Sequence, residues 1–360
     1  MGRSSFLALA LLSAGAVSLF SQQAPSAVPS IPPLVASQTP SPSVPAHGLR
    51  SAFPTKEDWS VLPLEGSGLD ISKIDAVPLA QWDMGDSTEE LLRVQWRAGD
   101  PLDLYVVRPK GVEKPPAILY LYDYRNLPDR YRDDGWCKRA TKGGFAAVGF
   151  LSAVSGDRIH TPRPLKQWFV SELQESLASS AHDVQMVLDY LDKRGDIDMS
   201  RIGMFGVGSG ASIAVLAAAA DPRIKTLDLL DPWGDWPDWL KESPLVPEEE
   251  RASYLKPEFL GKVAKLDPSL YLPQLASRNI RIEYQLDDPT TPKSAREAIL
   301  ATAPKSVDLI RYKDTAEHAR AYHATGMAGW IKGQLHPGPS PAPAPTTSSL
   351  PSAGLASNNP

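Results

Sequence analysis

Residues 201–220, RIGMFGVGSGASIAVLAAAA, read as a short apolar strand, a glycine-rich corner and an alanine-rich helix. Gly206, Gly208 and Gly210 alternate around Val207 and Ser209. Glycines at a strand-to-helix corner supply positive φ or let another group approach the backbone. The helix that follows presents unsatisfied N–H groups and the positive end of its dipole at the same place. Such a corner suits a nucleophile, an oxyanion or a phosphate, and the rest of the chain decides among them.

Outward from this corner, strands alternate with helices. Residues 117–122 (AILYLY) and 145–150 (FAAVGF) are nearly continuous apolar runs, as expected for buried parallel strands. A polar helix over 130–142 lies between them. Residues 177–194 are amphipathic, with Val184, Val187, Leu188 and Leu191 on one face. Strands at 224–230, 280–286 and 307–312, a helix over 292–303 and a final helix over about 318–335 complete the alternation. This pattern predicts an α/β fold with a mostly parallel sheet flanked by helices. Residues 89–96 and 102–108 alternate about Arg97-Ala98-Gly99-Asp100, a hairpin signal that predicts an antiparallel edge near the N-terminus. Residues 232–276 break the rhythm with Trp233, Trp236 and Trp239, several prolines and an acidic run at 248–250. An insertion after a sheet strand falls at the C-terminal rim, where ligands bind in open α/β folds. It is expected to form a cap, whose tryptophans either pack it onto the body or wall a substrate.

Composition bounds the function classes. Hydrophobic residues are 42% of the 360 and charged ones 22%, enough for a packed core. A net charge of −5 with no Lys/Arg run argues against nucleic-acid binding. Residues 1–21 carry Arg3, an apolar stretch over 6–12 and Ala14-Gly15-Ala16, the pattern of a secretory signal peptide. The apolar run is short for a membrane span, so cleavage and a secreted or periplasmic location are expected, with a retained anchor as the alternative. Residues 22–56 and 337–360 are rich in Pro, Ser and Ala and read as a disordered linker and tail. One domain remains, residues 57–336. Cys137 stands alone, so no internal disulfide is available, and its helical setting predicts a buried structural thiol. His160, His182, His318 and His323 lack metal-ligand spacing. Neither a metal nor a cofactor is expected.

The order of elements, with SRIGMFGVGSGA (200–211) followed by LDDPTTP (286–292) and then His318, resembles the α/β-hydrolase superfamily. The resemblance is to its dienelactone-hydrolase and prolyl-oligopeptidase-like esterases, and it covers most of 90–335. Its most specific part is HDVQMVLDYLDKRGDIDMSRIGMFG (182–206), a long helix running through Asp-x-x-Arg-Ile-Gly into the nucleophile strand. The resemblance implies hydrolysis of carboxylic esters through an elbow of the form small-x-nucleophile-x-small. Two registers fit. With Gly206 and Gly210 as the small flanks, the apex is Gly208 and the nucleophile is missing. With Ser209 as nucleophile, Val207 stands where a small residue is needed. Ser212 lies a turn into the helix, as a buried or capping residue. The resemblance puts the acid at Asp288, with Asp287 its competitor, and the base at His318 rather than His323. The oxyanion donors would be the N–H of Gly210 and one from Asp123 or Tyr124. Tyr122-Asp123-Tyr124 replaces the family's usual His-Gly there, and an Asp123 carboxylate facing the oxyanion would repel it.

Two functions are therefore expected from these residues. One is a serine hydrolase using Ser209, His318 and Asp288 on a small ester. The other is a non-catalytic hydrolase-like protein that binds a small-molecule ligand. A third reading takes 206–211 as G-x-G-x-x-A with Asp228 about twenty residues on, a dinucleotide-binding fingerprint and hence an oxidoreductase. That fingerprint normally opens the first βαβ unit, whereas several strands precede it here.

Overall fold

The computed structural model describes residues 57–69, 76–97, 100–124, 128–155, 158 and 170–336. The signal-like segment, the linker over 22–56, His160 and the tail over 337–360 lie outside the described residues. The strands are β1 (Ala76–Asp83), β2 (Ser87–Val94), β3 (Leu102–Pro109), β4 (Ala117–Leu121), β5 (Ala146–Phe150), β6 (Ile202–Val207), β7 (Ile224–Leu230), β8 (Asn279–Gln285) and β9 (Asp308–Tyr312). They form one sheet in the order β1-β2-β3-β5-β4-β6-β7-β8-β9. β1, β2, β3 and β5 pair antiparallel in succession. From β5 through β4 to β9 every pairing is parallel. The antiparallel edge expected from the 97–100 hairpin is thus present.

The helices are α1 (Asp134–Thr141), α2 (Leu173–Arg194), α3 (Ser209–Ala220), α4 (Trp236–Glu242), α5 (Glu248–Tyr254), α6 (Pro257–Val263), α7 (Pro268–Tyr271), α8 (Lys293–Thr302), α9 (Thr315–Thr325) and α10 (Gly329–Leu335). Because β4, β5 and β6 are central and covered on both faces, their residues are apolar without alternation. Leu119, Val148 and Met204 face the core that includes α2 and α3. Ile118, Tyr120, Ala147 and Phe205 face the other core, with Trp136 of α1 and Ile331 of α10. Asp133 caps α1 by accepting from the Trp136 N–H at 2.6 Å, and Gly195 at φ 73° ends α2 in the left-handed region.

The structure departs from the sequence expectations in two places. β1 has no counterpart among them, because Val77-Pro78 and the exposure of most of the strand erase its alternation. The final helix is two helices: Gly326 at φ 80° and Ala328 at φ 52° break the chain between α9 and α10. Residues 232–276 form a run of short helices, α4 to α7, and their tryptophans take the packing role rather than that of a substrate wall. Trp233, Trp236 and Trp239 are fully buried and packed on one another, with ring centroids 4.9 and 5.8 Å apart along the series 233–239–236. Trp236 Nε1–H donates to the Leu266 carbonyl at 3.0 Å. Cys137 is buried as expected, and burial pushes its thiol up to about 12, so it stays protonated.

Candidate functional site

Gly208 forms the turn between β6 and α3, with φ 55° and ψ −119°. A side chain is strained in that region, so the corner is built for glycine or for a residue held there against its preference. A Cβ on Gly206 would lie 2.5 Å from Ala211 Cα, and one on Gly210 would lie 2.1 Å from the Leu121 carbonyl oxygen. Those two glycines let α3 close against β4 and β6. A Cβ on Gly208 would find its nearest neighbours, Asp123 Cγ and Trp233 Nε1, at an ordinary 3.4 Å. The corner therefore adopts the register in which Gly206 and Gly210 are the small flanks and Gly208 is the apex.

Ser209, the nucleophile of the other register, is the first residue of α3 and is fully buried. Its Oγ has no hydrogen-bond partner among the described residues. Ser212 is structural: its Oγ donates to the Trp233 carbonyl at 2.7 Å and accepts from the Trp233 N–H at 2.9 Å. Together with Asp267, which accepts from the Asp235 and Trp236 N–H groups at 3.0 Å each, it pins the β7–α4 loop beside the elbow. Tyr124 packs against Trp233 at 5.9 Å between centroids.

The expected acid and base do not form a pair. Asp288 Oδ1 accepts from the Thr290 N–H at 3.0 Å and its hydroxyl at 2.9 Å, and Oδ2 accepts from the Thr291 N–H at 3.0 Å. The carboxylate closes the turn before α8, as Asp does before a proline-started helix. Asp287 is exposed. His318 lies in the first turn of α9 and not in the loop before it; Asp314 caps that helix by accepting from the Glu317 N–H at 2.8 Å. The His318 ring packs on Tyr312 at 5.1 Å between centroids, and no described residue hydrogen-bonds to it. Burial lowers its pKa from the ordinary 6.5, so at neutral pH it is an uncharged imidazole. The carboxylate whose field opposes that shift is Glu283 of β8, which accepts from the Tyr312 hydroxyl and pairs with Arg281 at 2.8 Å. Glu283 and Tyr312 carry no sequence signal, because only the parallel register of β8 and β9 brings them beneath His318.

A cleft of about 500 Å³ opens at the ends of β4, β6 and β7. These strand ends contribute Tyr122, Asp123, Val207 and Leu230; Arg130, Trp136 and Arg139 come from the turn before α1 and from α1 itself. From α9 come His318, Tyr322 and the exposed His323. The Arg130 guanidinium lies 4.2 Å above the Tyr122 ring, and Trp136 Nε1–H donates to the Tyr122 hydroxyl at 2.7 Å. Among the described residues no three His, Cys, Asp or Glu side chains are grouped to hold a metal, and no helix is long and apolar enough to cross a membrane.

No family model matches the chain. The uncharacterized protein YcjY of Escherichia coli (strain K12) is 27% identical over 92 residues, 26% of this chain and 27% of that one, so the match spans about a quarter of that relative. Solved structures give broader likenesses. The acetyl xylan esterase from Paenibacillus sp. R4 is 18% identical with TM-score 0.53, covering 72% of this chain and 88% of its own. Acetyl xylan esterase 1 from Thermoanaerobacterium sp. JW/SL YS485 is 14% identical with TM-score 0.54, covering 73% and 90%. The S-formylglutathione hydrolase from Agrobacterium tumefaciens is 16% identical with TM-score 0.54, covering 72% and 99%. The chain has the α/β-hydrolase fold. In this fold the strand-to-helix corner after β6 presents the nucleophile, and here that corner presents Gly208.

The dinucleotide reading fails on the same α/β-hydrolase frame. The Gly210 face is closed by the backbone of β4, which leaves no room for a pyrophosphate. Asp228 is buried inside β7, where Arg281 donates to both its oxygens at 2.9 and 2.7 Å, so it cannot reach a ribose. Burial, and the repulsion of Glu283 on the shared Arg281, push the Asp228 carboxyl up to about 7.

Asp231, at the end of β7, gives a pH-dependent prediction. It sits at φ 48° and accepts from the Gln285 N–H at 2.9 Å and Nε2–H at 2.8 Å. Burial pushes its carboxyl up to about 7 from the ordinary 3.8. Between those values the folded chain keeps a proton that the unfolded chain has released, so this group's contribution to stability falls as pH rises through that window. Asp231→Asn keeps an acceptor for Gln285 and removes the titration. Thermal unfolding from pH 4 to 8 should show the variant gaining on the parent as pH rises. A difference independent of pH would contradict the assignment.

Proposed function

We propose that this protein holds a small-molecule ligand in the cleft beside its elbow without forming an acyl-enzyme. The observation that carries the reading is Gly208 at the elbow apex. Acyl transfer needs an oxygen or sulfur at that position, a base within reach and an oriented acid. Gly208 supplies no such atom, Ser209 Oγ is sealed inside the α3 packing, and Asp288 spends its oxygens on its own turn. The Asp123 side chain packs against the apex, its Cγ 3.4 Å from where a Gly208 Cβ would lie. The same features preserve a cavity of small-molecule size. We further propose that the chain is exported, on the signal-like pattern of residues 1–21.

Full-length protein treated with a fluorophosphonate probe should stay unlabelled, and p-nitrophenyl acetate should be hydrolysed no faster than in buffer. Ser209→Ala should behave as the parent in both assays. Stoichiometric labelling of the parent that disappears in Ser209→Ala would overturn this reading and establish a serine esterase.

A further inference from the structure

We propose that the cleft takes a small, uncharged, hydroxyl-bearing ligand with an apolar body, its hydroxyl held by His318 and Tyr322 and its body lying on Phe205, Val207 and Leu230. The inference rests on the ligand-binding reading above and names the chemistry of the ligand.

The first support is the face that α9 turns to the cleft. His318, Ala319, Tyr322 and His323 all line it. Their spacing, i, i+1, i+4 and i+5, puts them on one side of a helix. None of the residues of α9 is buried. A short helix draws most of its stability from packing an apolar or aromatic face, and here that face looks onto a cavity of about 500 Å³. A ligand in the cleft supplies that packing, and the small side chain of Ala319 beside His318 leaves room for it.

The second support is hydrogen bonding. The His318 and Tyr322 rings lie 6.2 Å apart between centroids. Tyr312 packs on the imidazole, and Glu283 beneath it is taken by Arg281 and by the Tyr312 hydroxyl. No described residue hydrogen-bonds to the His318 ring or to the Tyr322 hydroxyl. Both groups are uncharged at neutral pH: burial lowers the imidazole pKa and pushes the phenol up to about 12. A neutral imidazole carries one acceptor nitrogen, and a phenol carries one O–H donor. A ligand hydroxyl answers both, since it accepts from Tyr322 and donates to His318. An ether cannot donate, and an ammonium cannot accept. The third support is the floor. Phe205 and Val207 of β6 and Leu230 of β7 line the cleft. Apolar side chains beside uncharged polar groups leave an ionised ligand without the solvation it has in water, so this part of the cleft selects a neutral one.

The test uses full-length protein and a matched pair of probes, naphthalen-2-ol and its methyl ether, followed by isothermal titration at neutral pH. The alcohol should bind about tenfold more tightly, as one or two neutral hydrogen bonds predict. His318→Phe and Tyr322→Phe each keep a ring in place and should reduce that preference part-way. The double variant should abolish it while binding the ether as the parent does. Ala319→Leu fills the cleft beside the two polar groups and should weaken both probes. Equal affinity for the two probes, a preference that survives the double variant, or binding untouched by Ala319→Leu overturns this inference and leaves the ligand-binding reading standing. Binding of neither probe also overturns it, and the fluorophosphonate assay above judges the ligand-binding reading by itself.

Discussion

Gly210→Ala is expected to leave no cooperatively folded domain. Its Cβ would lie 2.1 Å from the Leu121 carbonyl oxygen and 2.6 Å from the Leu121 carbonyl carbon. Both atoms are backbone, at the end of a strand paired to β5 and β6 in the middle of the sheet. A clashing side chain can rotate away, but this carbonyl can move only if the Leu121↔Gly206 pairing at the elbow opens. Ordinary overpacking costs about 1–3 kcal/mol because side chains absorb it. Here the cost should exceed about 4 kcal/mol, in the range reserved for broken core geometry and a large part of a domain's total stability. Gly208→Ala is the control. Its Cβ would have nearest neighbours at 3.4 Å, so what it pays is mainly the left-handed backbone, about 1–3 kcal/mol. Urea unfolding followed by far-UV circular dichroism ranks the two, and a smaller loss for Gly210→Ala would refute the elbow packing described above.

Asp183→Ala should destabilise the fold by about 3–5 kcal/mol, the cost of leaving buried charge uncompensated. Asp183 is fully buried in α2, yet Arg97 and Arg158 both pair with it. Its Oδ1 also accepts from Trp96 Nε1–H at 2.8 Å. Arg158 continues to Asp100, donating to both its oxygens at 2.8 and 2.7 Å. Arg97 continues to Glu57, which faces His182 Nδ1 at 2.6 Å, while His182 Nε2–H donates to the Val61 carbonyl at 2.8 Å. The network ties the β2–β3 hairpin, the stretch before β1 and α2 into one unit. Burial opposes ionisation of Asp183, but Arg158 and Arg97 outweigh it and hold the carboxyl well below the usual range. The contribution is therefore complete at neutral pH and lost as pH falls through the acid range. Chemical unfolding of parent and variant at pH 7 and pH 3 checks both magnitude and sign. A loss under about 1 kcal/mol at pH 7 would mean the arginines find solvent instead.

The alternation of buried strands and amphipathic helices was legible because each element declares itself locally, by continuous apolar runs or a 3.6-residue period. The elbow was legible for a related reason. Glycine spacing at 206, 208 and 210 reports backbone crowding, and crowding leaves few registers. β1 escaped, since an exposed edge strand containing Pro78 need not alternate. The α9–α10 break escaped because Ala328 adopts a left-handed conformation that its side chain does not favour.

The site divides along the same line. Sequence alone determined the sheet, the corner after β6 and the two candidate registers within it, because these depend on neighbours in the chain. Tertiary structure alone decided the rest. It sealed Ser209 into α3, committed Asp288 to Thr290 and Thr291, set His318 above Tyr312 and Glu283, and gathered Arg130, Arg139 and the aromatic rings around one cleft. Each outcome turns on which groups from distant parts of the chain compete for the same oxygen, proton or surface. No local pattern encodes that competition.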